Sequence, residues 1–132
     1  MAYRFEFDPV NKILLFRFEG RLTDEALAES YRAVRKYSTA TDAGAGILDL
    51  SLVTEFAVSA EFIRQLANQE PAMADATRRP RVIVASGTVG FGLSRMFQQI
   101  GENTRPLLSV VRTLEEALEI LKVQFPQFEP LK

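Results

Sequence analysis

The chain contains neither cysteine nor histidine. Without cysteine it has no disulfides, no thiolate nucleophile and no cysteine ligands for a metal. Without histidine it cannot form a histidine-based hydrolase triad, a histidine zinc site or an imidazole proton shuttle. An enzyme built on this sequence would depend on carboxylates, tyrosine, lysine or backbone dipoles. We therefore expect no metal site, no cofactor and no catalytic residues.

The sequence also lacks a strong net charge and long apolar runs. Its 16 basic and 17 acidic residues give a net charge of −1, whereas a nucleic-acid-binding domain needs a basic footprint. The one basic cluster, Arg78, Arg79 and Arg81, is interpreted as a solvated loop that enters a strand. No run approaches the roughly 20 apolar residues of a membrane span, and charges occupy the first eight residues. We expect a cytoplasmic protein that is not transmembrane and binds no nucleic acid.

The composition is that of one ordinary globular domain, with 47% apolar and 25% charged residues in 132. Alternation with a period of two predicts strands, and apolar stripes at helical spacing behind cap residues predict helices. The predicted elements, in order, are strands over 3–8 and 13–19, a helix over 24–37, a strand over 46–53, a helix from Ser59 to Glu70, a strand over 81–86, a helix carrying Leu93 to Ile100, a strand over 107–111 and a helix over 114–121.

This order, β-β-α-β-α-β-α-β-α, predicts an α/β fold. We expect one domain over residues 1–123, with a mixed, mostly parallel five-stranded sheet that starts with a β-hairpin and continues in βα units with about four helices. Residues 124–132 contain two prolines and no period, which predicts an extended C-terminal tail. Its Phe125 and Phe128 are available to pack onto the domain or onto a partner.

Loops at the carboxyl ends of parallel strands are where α/β sheets place ligands. Two such loops are predicted, at 51–59 and 86–92, and both lead into helix N-termini, which attract anions. We expect any binding or regulatory site to lie there. The candidate residues are Ser59, Asp49, Ser51, Thr54, Ser86, Gly87, Thr88 and Gly90.

The second loop has part of two nucleotide-binding motifs and completes neither. Residues 87–94 match a phosphate-binding loop, except that Leu93 stands where the lysine should be. A dinucleotide fingerprint fails because Arg95 replaces its third glycine. The pattern predicts a tight strand-to-helix turn that uses glycine for its backbone geometry.

Asp49 and Ser59 stand out individually. Asp49 lies within an apolar strand, so its carboxylate must be hydrogen-bonded, exposed at an edge or perturbed in pKa, and we favour a structural role. Ser59 precedes a helix, and an N-cap role explains it. A phosphate on Ser59 would gain from the helix dipole, but Glu55 and Glu61 would oppose it.

Two segments carry a family resemblance. Residues 47–54, Ile-Leu-Asp-Leu-Ser-Leu-Val-Thr, resemble the central strand and loop of STAS domains, the anti-sigma-factor-antagonist fold, and residues 110–121 resemble its last strand and helix. The similarity is greatest to a divergent bacterial branch described as sporulation-antagonist-like. Classical antagonists carry Asp-Ser-Ser-Gly after the strand, with one serine phosphorylated by a partner kinase. At the matching positions this chain keeps Ser59, while Ala57 and Ala60 replace the aspartate and glycine.

The sequence leaves three candidate functions open. The first is a non-catalytic STAS-like binding or regulatory domain, acting through contacts of the 51–59 segment and its helix with a protein partner or a second copy in a homodimer. The second is a small-molecule or lipid binder, since ten phenylalanines are many for this length and a related branch of the fold is associated with lipophilic ligands. The third is a carboxylate-based enzyme around Asp49 and Glu55.

Overall fold

The computed structural model describes residues 2–73 and 78–131. Within them the chain forms an α/β domain whose first nine elements have the predicted order. The elements are β1 (Ala2–Asp8), β2 (Ile13–Thr23), α1 (Asp24–Ala40), β3 (Ala45–Ala57), α2 (Ala60–Ala67), β4 (Arg81–Val84), α3 (Thr88–Ile100), β5 (Leu108–Val111), α4 (Leu114–Ile120) and β6 (Glu129–Pro130).

The strands form one mixed sheet in the order β5-β4-β3-β2-β1-β6. Strands β2 to β5 pair in parallel, and β1 pairs antiparallel with β2 and with β6. The sheet thus has six strands where five were predicted. The additional strand comes from the tail, where Glu129 and Pro130 pair with Phe7 and Glu6. Two residues including a proline are too short a run to show the period that predicts a strand.

The two faces of the sheet are covered differently. Helices α1, α2 and α3 cover one face, where Phe5, Phe16 and Phe18 form an aromatic cluster with ring centroids 4.3 Å and 4.5 Å apart. Helix α4 and Phe128 of the tail cover the other face. Phe125 remains 77% exposed. Part of the phenylalanine content therefore belongs to an ordinary aromatic core.

Several predicted boundaries are wrong, and the differences with the most bearing on the site lie at β3, α3 and α1. Strand β3 continues to Ala57, because β2 also continues past Gly20 and pairs with it as far as Thr23. The 51–59 segment is therefore mostly strand, not loop. Helix α3 begins at Thr88, so the predicted glycine-rich turn over 87–92 is mainly helix. Helix α1 runs on to Ala40, where hydroxyl groups of residues 38 and 39 donate to Arg35 O.

Candidate functional site

Strand β3 extends well beyond its neighbour β4. Strand β4 pairs with β3 only from Gly46 to Asp49, whereas β2 accompanies β3 to Ala57. Residues 50–57 of β3 therefore form a sheet edge on the β4 side. Their exposed side chains include Ser51, Leu52, Thr54 and Glu55. We call this edge, together with Ser59 and residues 86–89, the rim.

Two irregularities in the β2–β3 pairing lie within this edge. Leu50 and Ser51 together occupy the register opposite Phe18, and Thr54 has no counterpart on β2. β-Bulges of this kind redirect side chains and are frequent beside functional sites. Two of the candidate residues thus lie at these irregularities: Ser51 shares its register position with Leu50, and Thr54 is the extra residue of the second. Gly20, at the second irregularity, has a positive φ of 83°, which favours glycine.

Asp49 is buried, and each of its two carboxylate oxygens accepts a hydrogen bond. Its exposed fraction is 2%. Its Oδ2 accepts from Arg17 Nε at 3.0 Å and its Oδ1 accepts from the Ser51 backbone N at 2.9 Å. Glu55, the other carboxylate of the suggested catalytic pair, is bonded to Arg21. Both carboxylates are therefore paired with arginines of β2, which agrees with the structural role predicted for Asp49.

Ser59 is the N-cap of α2, as predicted. Its Oγ accepts from Phe62 N at 3.1 Å, satisfying one of the free N–H groups of the first turn. The structure adds a partner that the sequence did not indicate, because it lies 35 residues away. Asp24, the first residue of α1, accepts from Ser59 N at 3.0 Å and from the Ser59 hydroxyl at 3.2 Å. A phosphate on Ser59 would face this carboxylate directly, in addition to Glu61.

Replacing Ser59 by alanine should lower the free energy of unfolding by about 1 kcal/mol, the usual contribution of an N-cap. The substitution removes the bond to Phe62 N and the hydroxyl bond to Asp24. Urea denaturation measures the effect. Ser86→Ala, at an exposed serine after β4, is the matched control and should change stability by less than about 0.5 kcal/mol. Equal stabilities of the two variants would contradict the cap role.

The start of α3 lies against the end of β3. Ser86, Gly87 and Thr88 are exposed, and Gly87 caps α3 without a side-chain hydrogen bond. Gly90 is buried, and a Cβ built on it would lie 2.4 Å from Phe56 Cζ. The glycine thus permits the close approach of α3 to β3. This contact brings the two predicted segments to the same rim of the sheet.

Beneath the rim, between the sheet and helices α1 to α3, lies a cavity of about 180 Å³. Most of its wall is apolar, contributed by side chains such as Leu27, Val34, Phe56, Leu93 and Phe97. Two arginines that were not predicted as site residues, Arg81 and Arg105, also line it. The signal that was available is the strand period, which puts Arg81 on the same face of β4 as Ile83.

Arg105 is buried and holds the C-terminal end of α2. Its exposed fraction is 2%. Its Nη1 donates to Ala67 O at 2.8 Å, and its Nη2 donates to Leu66 O at 3.2 Å, Gln69 O at 3.1 Å and the Tyr31 hydroxyl at 3.1 Å. A cation at the carbonyl end of a helix is favoured by the helix dipole. Arg105 is therefore a structural residue that fixes one wall of the cavity.

Arg81 corrects the prediction of a solvated basic loop. Arg78 is exposed, but Arg81 is the first residue of β4, and its Nε and Nη2 atoms are buried. Neither atom has a hydrogen-bond partner among the residues that the structure describes. Burial, and secondly the nearby charge of Arg105, lower the pKa of Arg81 to about 10. The guanidinium remains cationic at neutral pH.

Two features are absent from the described ranges, 2–73 and 78–131. No helix there is long and apolar enough to cross a membrane. No group of three or more acidic side chains there is arranged to hold a metal ion.

Comparisons by sequence find no matching protein-family model and no matching curated protein. Comparison of structures finds the unphosphorylated form of the anti-sigma factor antagonist SpoIIAA, with a TM-score of 0.61 and 13% identity over 92% of this chain and 96% of that one. The fold is STAS-like. A Mycobacterium paratuberculosis anti-sigma factor antagonist shares it, with a TM-score of 0.57 and 14% identity over 92% and 95% of the two chains.

The phosphorylated form of the Bacillus cell fate determinant SpoIIAA has the same STAS-like fold. Its TM-score is 0.54, with 16% identity over 91% of this chain and 99% of that one. The predicted α/β class and the predicted STAS resemblance are thus confirmed. At these identities the similarity is one of fold.

Proposed function

We propose that this chain is a non-catalytic regulatory domain that acts by binding a protein partner at the rim. The observation that carries the proposal is the edge formed by residues 50–57 of β3, which none of the described strands covers on the β4 side. Two of the structures with the same fold are those of anti-sigma factor antagonists, which supports a regulatory role.

The chemistry of the rim suits a protein better than a small anion. A free strand edge offers backbone N–H and C=O groups that a partner strand can pair with. Leu52, 47% exposed, adds an apolar anchor in the middle of that edge. The carboxylates of Glu55 and Asp24 make the surroundings unfavourable for a phosphate. A partner that adds backbone contacts and covers Leu52 fits these features.

The alternative of catalysis is not supported by the geometry. Asp49 and Glu55 are each held by an arginine, so neither is placed as a free acid or base. The exposed hydroxyls of Ser51 and Thr54 have no paired base beside them in the hydrogen bonds of the described residues. These groups are better suited to contact than to chemistry.

Substituting Leu52 by glutamate should remove partner binding while leaving the fold intact, because nearly half of the residue is already exposed to water. The full chain carrying an affinity tag is used to capture proteins from cells that express it, with quantitative mass spectrometry. Val10→Glu is the matched control, since Val10 is 64% exposed and lies in the β1–β2 turn, away from the end of β3. We expect a specific protein to be recovered about tenfold less with Leu52→Glu than with Val10→Glu.

The same experiment identifies the partner and can overturn the proposal. The protein lost with Leu52→Glu is purified and titrated against the wild-type chain, and a saturable complex supports the proposal. Light scattering on the purified chain tests whether a second copy is the partner, in which case Leu52→Glu converts a dimer to a monomer. Identical capture profiles and oligomeric states for both variants would rule out the rim as the binding surface.

A further inference from the structure

The cavity under helices α1 to α3 is large enough to hold a small organic molecule. Its volume is about 180 Å³. An apolar cavity of about 150 Å³ in another protein stays dry and takes up benzene. The walls here are likewise mostly apolar, with Leu27, Val34, Phe56 and Leu93 among them. Filling the space with an apolar group would restore the packing contacts that the lining side chains lack.

One charged group in the wall has no hydrogen-bond partner for two of its nitrogen atoms within the part of the chain that the structure describes. Arg81 lines the cavity, and its Nε and Nη2 atoms are buried without a hydrogen bond among the described residues. These two atoms form one edge of the guanidinium, the fork that matches both oxygens of a carboxylate. Arg105 does not neutralise the charge of Arg81, because it is a second cation. Its hydrogen bonds go to the end of α2 and to Tyr31.

No described residue compensates the charge of this corner. None of the ion pairs formed by the described residues joins a carboxylate to Arg81 or Arg105. Burying a cation without a partner is costly, and the free energy recovered by pairing it is correspondingly large. An anion that also has an apolar body would satisfy both the unpaired fork and the empty space.

We propose that the cavity binds an aliphatic monocarboxylate, with its chain among the apolar side chains and its two oxygens accepting from Nε and Nη2 of Arg81. A free phosphate fits less well, because the apolar walls offer few donors to its remaining oxygens. The cavity volume sets the size at about seven to ten non-hydrogen atoms. The proposal stands independently of partner binding at the rim.

Isothermal titration calorimetry with sodium octanoate tests the proposal on the wild-type chain, on Arg81→Met and on Arg78→Met. Arg78 is a nearby exposed arginine outside the cavity. We expect saturable binding to the wild type, a loss of about tenfold or more in affinity for Arg81→Met, and an unchanged affinity for Arg78→Met. Octan-1-ol, which has the same number of carbon atoms without the charge, should bind the wild type about tenfold more weakly, and inorganic phosphate should not bind.

A second variant tests the cavity itself. Ser94 is buried on α3 and lines the space, so Ser94→Leu should fill it and abolish octanoate binding while raising the melting temperature. Arg81→Met should also fold, because it removes an unpaired buried charge.

The proposal is overturned if octanoate fails to bind at about 5 mM, if octanol binds as tightly, or if either cavity variant retains wild-type affinity. Leu52→Glu should bind octanoate like the wild type. The experiments can therefore reject the proposal of partner binding at the rim and the proposal of carboxylate binding in the cavity separately.

Discussion

Replacing Arg105 by methionine should lower the free energy of unfolding by about 3 kcal/mol or more. The guanidinium is 2% exposed and donates to three backbone carbonyls at the end of α2 and to the Tyr31 hydroxyl. Methionine fills much of the volume but donates nothing, so these acceptors lose their partner inside the protein. The loss of a charged donor from buried acceptors is among the largest effects a single substitution has.

Chemical denaturation measures this change, and Arg95→Met provides the control. Arg95 lies on the same side of the sheet in α3 but is exposed, and among the described residues it donates only to Gln98 Oε1. Its replacement should cost less than about 0.5 kcal/mol. Hydrogen exchange should also show faster exchange in α2 for Arg105→Met. If the free energies of unfolding of Arg105→Met and Arg95→Met differ by less than about 1 kcal/mol, Arg105 is not the residue that anchors α2.

Replacing Asp8 by asparagine should destabilise the chain by about 2 kcal/mol. The Asp8 side chain is 0% exposed and joins the β1–β2 turn to the tail. Its Oδ1 accepts from Val10 N and Asn11 N, and its Oδ2 accepts from Asn11 Nδ2 at 2.7 Å and Gln127 N at 2.8 Å. An asparagine presents one oxygen and one NH₂ group, so two of these donors would face another donor.

The same substitution should flatten the acid limb of the stability curve. Burial raises the pKa of Asp8, but the hydrogen bonds from Asn11, Gln127 and Val10 outweigh it and hold the pKa below 3.8. The stabilisation by the carboxylate is therefore fully present above the unfolded value of 3.8 and is lost as the pH falls through the lower folded pKa.

Urea titrations between about pH 7 and about pH 2.5 check this sign. The wild-type chain should lose more stability below about pH 4 than Asp8→Asn does. Glu102→Gln, at an exposed carboxylate, should leave the slope nearly unchanged. A wild-type chain whose stability falls no faster in acid than that of Asp8→Asn would contradict the assignment.

The element order was predictable because its signals are local. The alternation along β1 and β2 depends only on residues within each strand. The helix caps depend only on residues close in sequence, and all three, Thr23, Ser59 and Thr113, accept the expected hydrogen bonds. The length of β3 was not predictable, since its last residues are ordered by pairing with β2 and carry no alternation of their own. The same holds for the tail strand, which depends on β1 as a template.

The site was predictable only in part, for the same reason. The position of the rim follows from the rule for parallel strands, and the bond to Asp49 follows from the cost of burying a carboxylate. The contact of Ser59 with Asp24 and the approach of Gly90 to Phe56 join distant segments. Arg81 was grouped with its exposed neighbour Arg78, whereas the strand period alone would have placed it on the inner face.

The short strand β6 has a consequence for solubility. Leu131 N donates to Phe5 O, so the backbone nitrogen of the preceding residue, Pro130, faces away from the sheet. A further strand would need an N–H at that point, and proline has none. The pairing of another chain with this edge of the sheet is therefore disfavoured. The two-residue strand Glu129–Pro130 thus protects this edge against aggregation.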